Sequence, residues 1–157
     1  MSDIRHNHTF DYSKITEKVY IGSDLCKGNY CPIHSEDFKR LGVCAEINLQ
    51  AESKEVPPDN INIYAWLPVK DKHAPSPDQL VIGSSLINEA VENGNTIYVH
   101  CKFGHGRSPT LVAAYFIRYK GMSVDEAVKF IGNKRPEVHI ENRQREALLR
   151  FRTAFKV

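Results

Sequence analysis

Cys101 and Arg107 bracket five loop residues, Lys102, Phe103, Gly104, His105 and Gly106. The loop follows the apolar run Thr96 to Val99 and His100, and it precedes the helix-like run Leu111 to Ile117. A strand feeding a helix through such a loop leaves backbone N–H groups unpaired at the helix N-terminus, where the dipole also favours an anion. Gly104 and Gly106 are expected to take positive φ, so that successive N–H groups turn inward as a nest. The planar fork of Arg107 adds paired, charge-assisted hydrogen bonds suited to phosphate. The same field favours the thiolate of Cys101, whose pKa in such surroundings falls from about 8.5 to roughly 3.5–7.5. An anion cradle that contains an ionised nucleophile can attack the phosphate it binds.

Attack at phosphorus displaces an alkoxide or phenolate, which needs a proton from a donor opposite the thiolate. A polar, proline-punctuated loop upstream, Leu67 to Pro77, carries Asp71. Asp78 competes, but Ser76-Pro77-Asp78 reads as a helix start with Ser76 capping and Asp78 favourable to the dipole. His73 reads as an ordinary loop histidine.

The string from His100 to Ser108, with its CX5R spacing between a strand and a buried helix, resembles the signature of the cysteine-dependent protein tyrosine phosphatase superfamily, and its small dual-specificity branch in particular. The resemblance runs from Val19 to the final helix and is concentrated in residues 98–108. It selects Asp71 as the general acid on a mobile loop. It implies that Ser108 helps the thiolate leave and that His100 tunes the cysteine. It also places Arg135 and Gln144 near the pocket, Gln144 either as a water-orienting amide or as a helix-boundary residue, and Arg135 either on loop carbonyls and acidic side chains or as a surface cation.

The implied activity is hydrolysis of phosphate monoesters through a cysteinyl-phosphate, on phosphotyrosine and phosphoserine or phosphothreonine in proteins. Lys102 and His105 add charge to the loop in a way that also resembles phosphoinositide-directed branches. A catalytically weak phosphate-binding module is an alternative, which the joint presence of Cys101, Arg107 and Asp71 opposes. Rhodanese-like sulfur transfer and arsenate reduction also use cysteine loops, and neither explains Asp71.

The elements that must position these groups alternate. Strands are expected at Lys18–Gly22, Cys44–Leu49, Ile61–Trp66 and Thr96–Val99. Helices are expected from His34 or Ser35 to Leu41, and over Gln79–Glu92, Ser108–Tyr119, Ser123–Ile131 and Ile140–Phe155. The pattern predicts an α/β fold, a central, mostly parallel twisted sheet flanked by helices on both sides, with the site at strand C-terminal ends. The 157 residues fit one catalytic domain, 1–157.

Net charge is +2, which gives no field for nucleic acid. Residues 134–157 hold seven basic and three acidic residues, a solvated face or a means of steering an anionic substrate. The polar N-terminus lacks the apolar core of a signal peptide, and no apolar run reaches the ~18 residues of a membrane span. Four cysteines at irregular spacing fit a reducing compartment, so a cytoplasmic setting is expected; the domain is also expected to be a monomer. Any of Cys26, Cys31 and Cys44 is a candidate redox partner for Cys101. The chemistry requires neither metal nor cofactor, and none is expected. Cys26, Cys31 and His34 have spacings a metal could use, with His6 or His8 as a fourth ligand, but no second Cys or His pair at typical spacing accompanies them.

Overall fold

The computed structural model describes residues 10–26 and 30–155. The elements in chain order are β1 Tyr12–Lys14, β2 Val19–Gly22, α1 Pro32–Leu41, β3 Val43–Gln50, β4 Ile63–Val69, α2 Pro77–Glu92, β5 Thr96–His100, α3 Arg107–Lys120, α4 Val124–Lys134 and α5 Asn142–Ala154. The sheet order is β1-β2-β5-β3-β4. β2, β5, β3 and β4 pair in parallel, and β1 is an antiparallel edge strand on β2. The expected architecture is therefore present, with one short strand, β1, that the sequence reading lacked.

Several boundaries differ by one to three residues, and at two of them the reason is local. α1 begins at Pro32, before His34 and Ser35, because proline suits the first helical turn; Cys31 takes the cap position without a side-chain capping bond. β4 starts at Ile63 because residues 58–62 complete a turn, in which Ile61 N–H donates to the Pro58 carbonyl and Asn62 N–H to Cys44. β4 also runs on through Pro68, which an edge strand tolerates.

Alternation along β5 decides what reaches the site. Ile97, Val99 and Cys101 belong to the main core, with Leu111, Val112, Ala114 and Leu148 of α3 and α5. Tyr98 joins Tyr20, Phe38 and Val43 in the cluster that includes α1. Period-2 geometry thus sends Cys101 toward α3 and His100 to the opposite face. α3 is buried continuously from Arg107 to Ile117, which fixes its N-terminus against the end of the central strand.

Candidate active site

The loop from Cys101 to Gly106 turns directly into α3, and Gly106 occupies the cap position. Gly104 has φ +72°, as expected, and a Cβ there would lie 2.7 Å from the Gly22 carbonyl oxygen. Gly106 departs from expectation, with φ −134°. The space beside it is tight: a Cβ would stand 3.2 Å from both polar atoms of the Gln144 amide and 3.3 Å from the His139 carbonyl oxygen.

Cys101 is 3% exposed, with Sγ 3.2 Å from Ser108 Oγ. Burial alone would push the thiol up. Hydrogen bonds from the Ser108 hydroxyl and N–H, the charge of Arg107 and the Gly104 N–H outweigh it, so the pKa falls below its ordinary value. These are the groups that the sequence placed around the nucleophile. The exposed Lys102 lies 5.3 Å over the Phe103 ring, itself half exposed and stacked on His105.

Arg107 is buried, and a partner that the sequence reading missed holds it. Glu52 accepts from Nη1 at 2.6 Å and from Nη2 at 3.0 Å, while the Val69 carbonyl accepts from Nη1 at 2.8 Å. The guanidinium lowers the pKa of Glu52 chiefly through these hydrogen bonds. Arg107 Nε is buried without a hydrogen-bond partner among the described residues, and Asp71 Oδ1 stands 3.8 Å from it. Asp71 is 64% exposed, in a turn where Lys72 takes φ +66° and donates its N–H to Asp71 Oδ1. Asp78 lies in the first turn of α2, below a capping box formed by Ser76 and Gln79.

A fork held on one edge presents its other donor in a fixed place. Removing Glu52 therefore loosens Arg107: Glu52→Ala is expected to lower kcat/KM on an aryl phosphate roughly tenfold, the worth of one charged hydrogen bond. Steady-state kinetics check this, and an unchanged kcat/KM would remove Glu52 from the site.

Behind the loop, His100 is fully buried and its Nε2 meets Glu46 Oε1 at 3.0 Å and Glu55 Oε1 at 2.9 Å. Burial opposes a charge on His100, but Glu55 and Glu46 together outweigh it and raise its pKa well above 6.5. Burial, then a hydrogen bond to Glu55, raises Glu46 to about 8, whereas the charged His100 and hydrogen bonds from Glu46 and His100 hold Glu55 below its ordinary value against burial. At neutral pH the triad therefore favours one proton held by the Glu46–Glu55 pair, on the side of the more deeply buried Glu46, beside a charged His100.

Because the folded pKa of Glu46 exceeds its unfolded value, the folded state binds more protons between pH 4.5 and about 8, and stability falls as pH rises through that window. The loss is on the order of a few kcal/mol. His100, also raised, contributes stability that is likewise lost above 6.5, on the alkaline side. Glu55 acts in the opposite sense, its contribution being lost as pH falls below 4.5. Melting temperature should therefore decline from pH 6 to pH 9. In Glu46→Gln, which carries the protonated shape permanently, the decline should be shallower, with the variant matching or exceeding the parent at pH 9. Parallel melting profiles would contradict the assignment.

Arg135, left open between two readings by the sequence, is fully buried. It donates from Nε to the Gly104 carbonyl at 2.9 Å, from Nη2 to the Phe103 carbonyl at 2.8 Å, and to both oxygens of Asp11. It buttresses the outer side of the loop. Gln144 is buried as well; its Nε2 donates to the His73 carbonyl at 3.0 Å and its Oε1 accepts the Glu141 N–H at 2.9 Å. One amide thus joins the turn that follows Asp71 to the start of α5. His73 lies by Arg143, whose Nη1 is 3.0 Å from Nε2. Cys44 sits at the Thr96 end of β5, away from Cys101, and none of the four cysteines forms a disulfide.

The family model for the dual specificity phosphatase catalytic domain matches residues 27–154. The chain belongs to the dual-specificity phosphatase family. This dual-specificity phosphatase domain is 33% identical over 120 residues to phosphatidylglycerophosphate phosphatase PTPMT2 of Arabidopsis thaliana, covering 73% of the chain and 53% of that protein. It is 29% identical over 121 residues to dual specificity protein phosphatase 5 of Rattus norvegicus, covering 76% of the chain and 30% of that protein. The chain therefore spans about half or less of the length of these relatives. The crystal structure of human DUSP28 superposes with a TM-score of 0.78 at 19% identity, over 93% of the chain and 95% of that structure, which places the dual-specificity phosphatase fold here.

Proposed function

We propose that this domain hydrolyses phosphate monoesters by the two-step cysteine mechanism, with phosphorylated protein, on tyrosine and on serine or threonine, as substrate. The observation that carries the reading is the thiol of Cys101 at the start of α3, with a lowered pKa, beside a buried Arg107 whose Nε remains to be paired and an Asp71 carboxylate 3.8 Å from that Nε. In the first step the Cys101 thiolate forms an S–P bond as the P–O bond to the leaving group breaks. Asp71 gives its proton to the departing oxygen. In the second, Asp71 takes a proton from water, which attacks phosphorus; inorganic phosphate leaves, and Ser108 stabilises the departing thiolate by hydrogen bonding. Arg107 and the loop N–H groups of residues 102–107 stabilise the transferring phosphoryl group throughout.

A second reading is a phospholipid headgroup phosphate. It is favoured by the exposed Lys102 and the partly exposed His105 on the loop, and by the phosphatidylglycerophosphate phosphatase among the relatives. Both readings treat residues 1–157 as one catalytic domain acting as a monomer in a reducing, cytoplasmic setting. No described helix is long and apolar enough to cross a membrane. A panel of phosphotyrosine peptide, phosphothreonine peptide and phosphoinositide, with the Cys101→Ser variant as blank, tests the choice: the first reading expects the highest kcat/KM on phosphotyrosine peptide, and preference for the lipid would replace it with the second.

A further inference from the structure

The loop after β2 and the first turn of α1 bring together three side chains that the phosphatase chemistry does not use. Cys26, Cys31 and His34 each offer one ligand atom, and those atoms lie within 4.8 Å of one another. In sequence they are only a Cys-x4-Cys-x2-His string; folding supplies the convergence. Cys31 is the N-cap of α1 and His34 stands one turn in, so the i, i+3 spacing puts both on one face, and both are buried. Cys26 arrives from the other side on the chain leaving β2 and is partly exposed.

We propose that Cys26, Cys31 and His34 form a binding site for a thiophilic divalent cation, zinc by its ligand chemistry. Tetrahedral zinc with Zn–S of about 2.3 Å and Zn–N of about 2.0 Å sets ligand-to-ligand edges near 3.5–3.8 Å, so a closure of about 1 Å, within the reach of side-chain rotation, completes the half-formed shell. Two thiolates and an imidazole select zinc over magnesium or calcium, which take oxygen ligands. Binding replaces the two thiol protons with the ion, and both protons go to solvent, leaving a site with no net charge when His34 is neutral. The described residues supply three ligands. His6 and His8 lie outside the described residues.

The site is separate from the nucleophile yet linked to its loop. The Asp24 N–H, two residues before Cys26, donates to the Lys102 carbonyl at 3.0 Å. An ion that ties the chain after β2 to the start of α1 would therefore stabilise a segment on which the phosphate loop leans.

Because Cys101 is itself a thiolate that takes thiophilic ions, the test uses the full chain carrying Cys101→Ser, under a non-chelating reductant. One equivalent of cobalt(II) should give tetrahedral d–d bands and a thiolate-to-cobalt charge-transfer band. Zinc should displace the cobalt with a stoichiometry of one per chain, and zinc at a hundredfold excess over its Kd should raise the melting temperature by roughly 5 °C or more. Adding Cys26→Ser, a partly exposed change compatible with folding, should abolish the charge-transfer intensity of one thiolate. It should weaken zinc binding by more than the roughly 10–100-fold that loss of an outer-shell partner costs. His34→Gln should weaken it likewise, and Cys44→Ser should leave it unchanged. Absence of stoichiometric binding, or binding that survives Cys26→Ser and Cys31→Ser, would overturn the site while leaving the phosphatase reading untouched.

Discussion

Replacing Cys101 by serine should reduce turnover of an aryl phosphate by about 10,000-fold or more while leaving the fold intact. The thiol is nearly fully buried between the end of β5 and the start of α3, and the exchange of sulfur for oxygen changes little in that space. It changes the ionisation completely: the hydrogen bonds and charge that lower the thiol pKa act on a group that starts at about 8.5, whereas a hydroxyl remains protonated under the same field. The phosphate cradle itself survives, because Arg107, Glu52 and the loop N–H groups do not depend on sulfur. The variant should therefore still bind phosphate or vanadate, and circular dichroism should match that of the parent. Retained turnover in Cys101→Ser would place the chemistry elsewhere.

The second large effect is expected at Asp71. Asp71→Asn should lower kcat roughly 100- to 1,000-fold on substrates with poor leaving groups, with KM changed by less than about threefold. The position explains the division. Asp71 sits 3.8 Å from Arg107 on an exposed turn and contributes little to the packing that binds phosphate, so its loss removes a proton rather than a contact. The loss in kcat/KM, which reports the first step alone, should shrink as the leaving group improves, because a good phenolate needs no proton to depart, whereas kcat on such substrates stays low because the second step lacks its base. Equal losses of kcat/KM across a leaving-group series would show that Asp71 acts in some other way, and a larger effect from Asp78→Asn would move the acid to α2. The capping geometry of Ser76 and Gln79 around the start of α2 argues for Asp71.

The nucleophile half of this site was legible because it is local. Strand, loop and helix follow one another over residues 96–120, so sequence order and spatial order coincide. Most of α2 was legible for the same reason, since the Ser76 cap, Pro77 in the first turn and the helical run that follows lie within one segment. Glu52 and Glu55 were not legible. They come from a polar stretch that reads as an ordinary linker, and only the parallel pairing of β3 with β5 carries that linker over the end of the central strand. Glu46 did leave a signal. It is a carboxylate inside the apolar run Val43–Leu49, and such a group must be protonated or paired, as it proves to be with His100. The short β1 lacked enough residues to show a period, and its place depends on antiparallel pairing with β2 and on the Arg135 contacts to Asp11 and Ser13. Gly106 looked like a left-handed turn residue, but the pressure on it comes from Gln144, 38 positions later, which no local rule foresees.

The central claim is that phosphate passes through a covalent bond to Cys101. Asp71→Asn, supplied with an activated aryl phosphate, forms that bond without needing the acid and breaks it slowly without the base. Rapid acid quench followed by peptide mass spectrometry should find one phosphoryl group on the peptide containing Cys101, close to one per chain, and none in Cys101→Ser. Continued release of the phenol at a measurable rate with no phosphoryl group on Cys101 at any time point would contradict the mechanism.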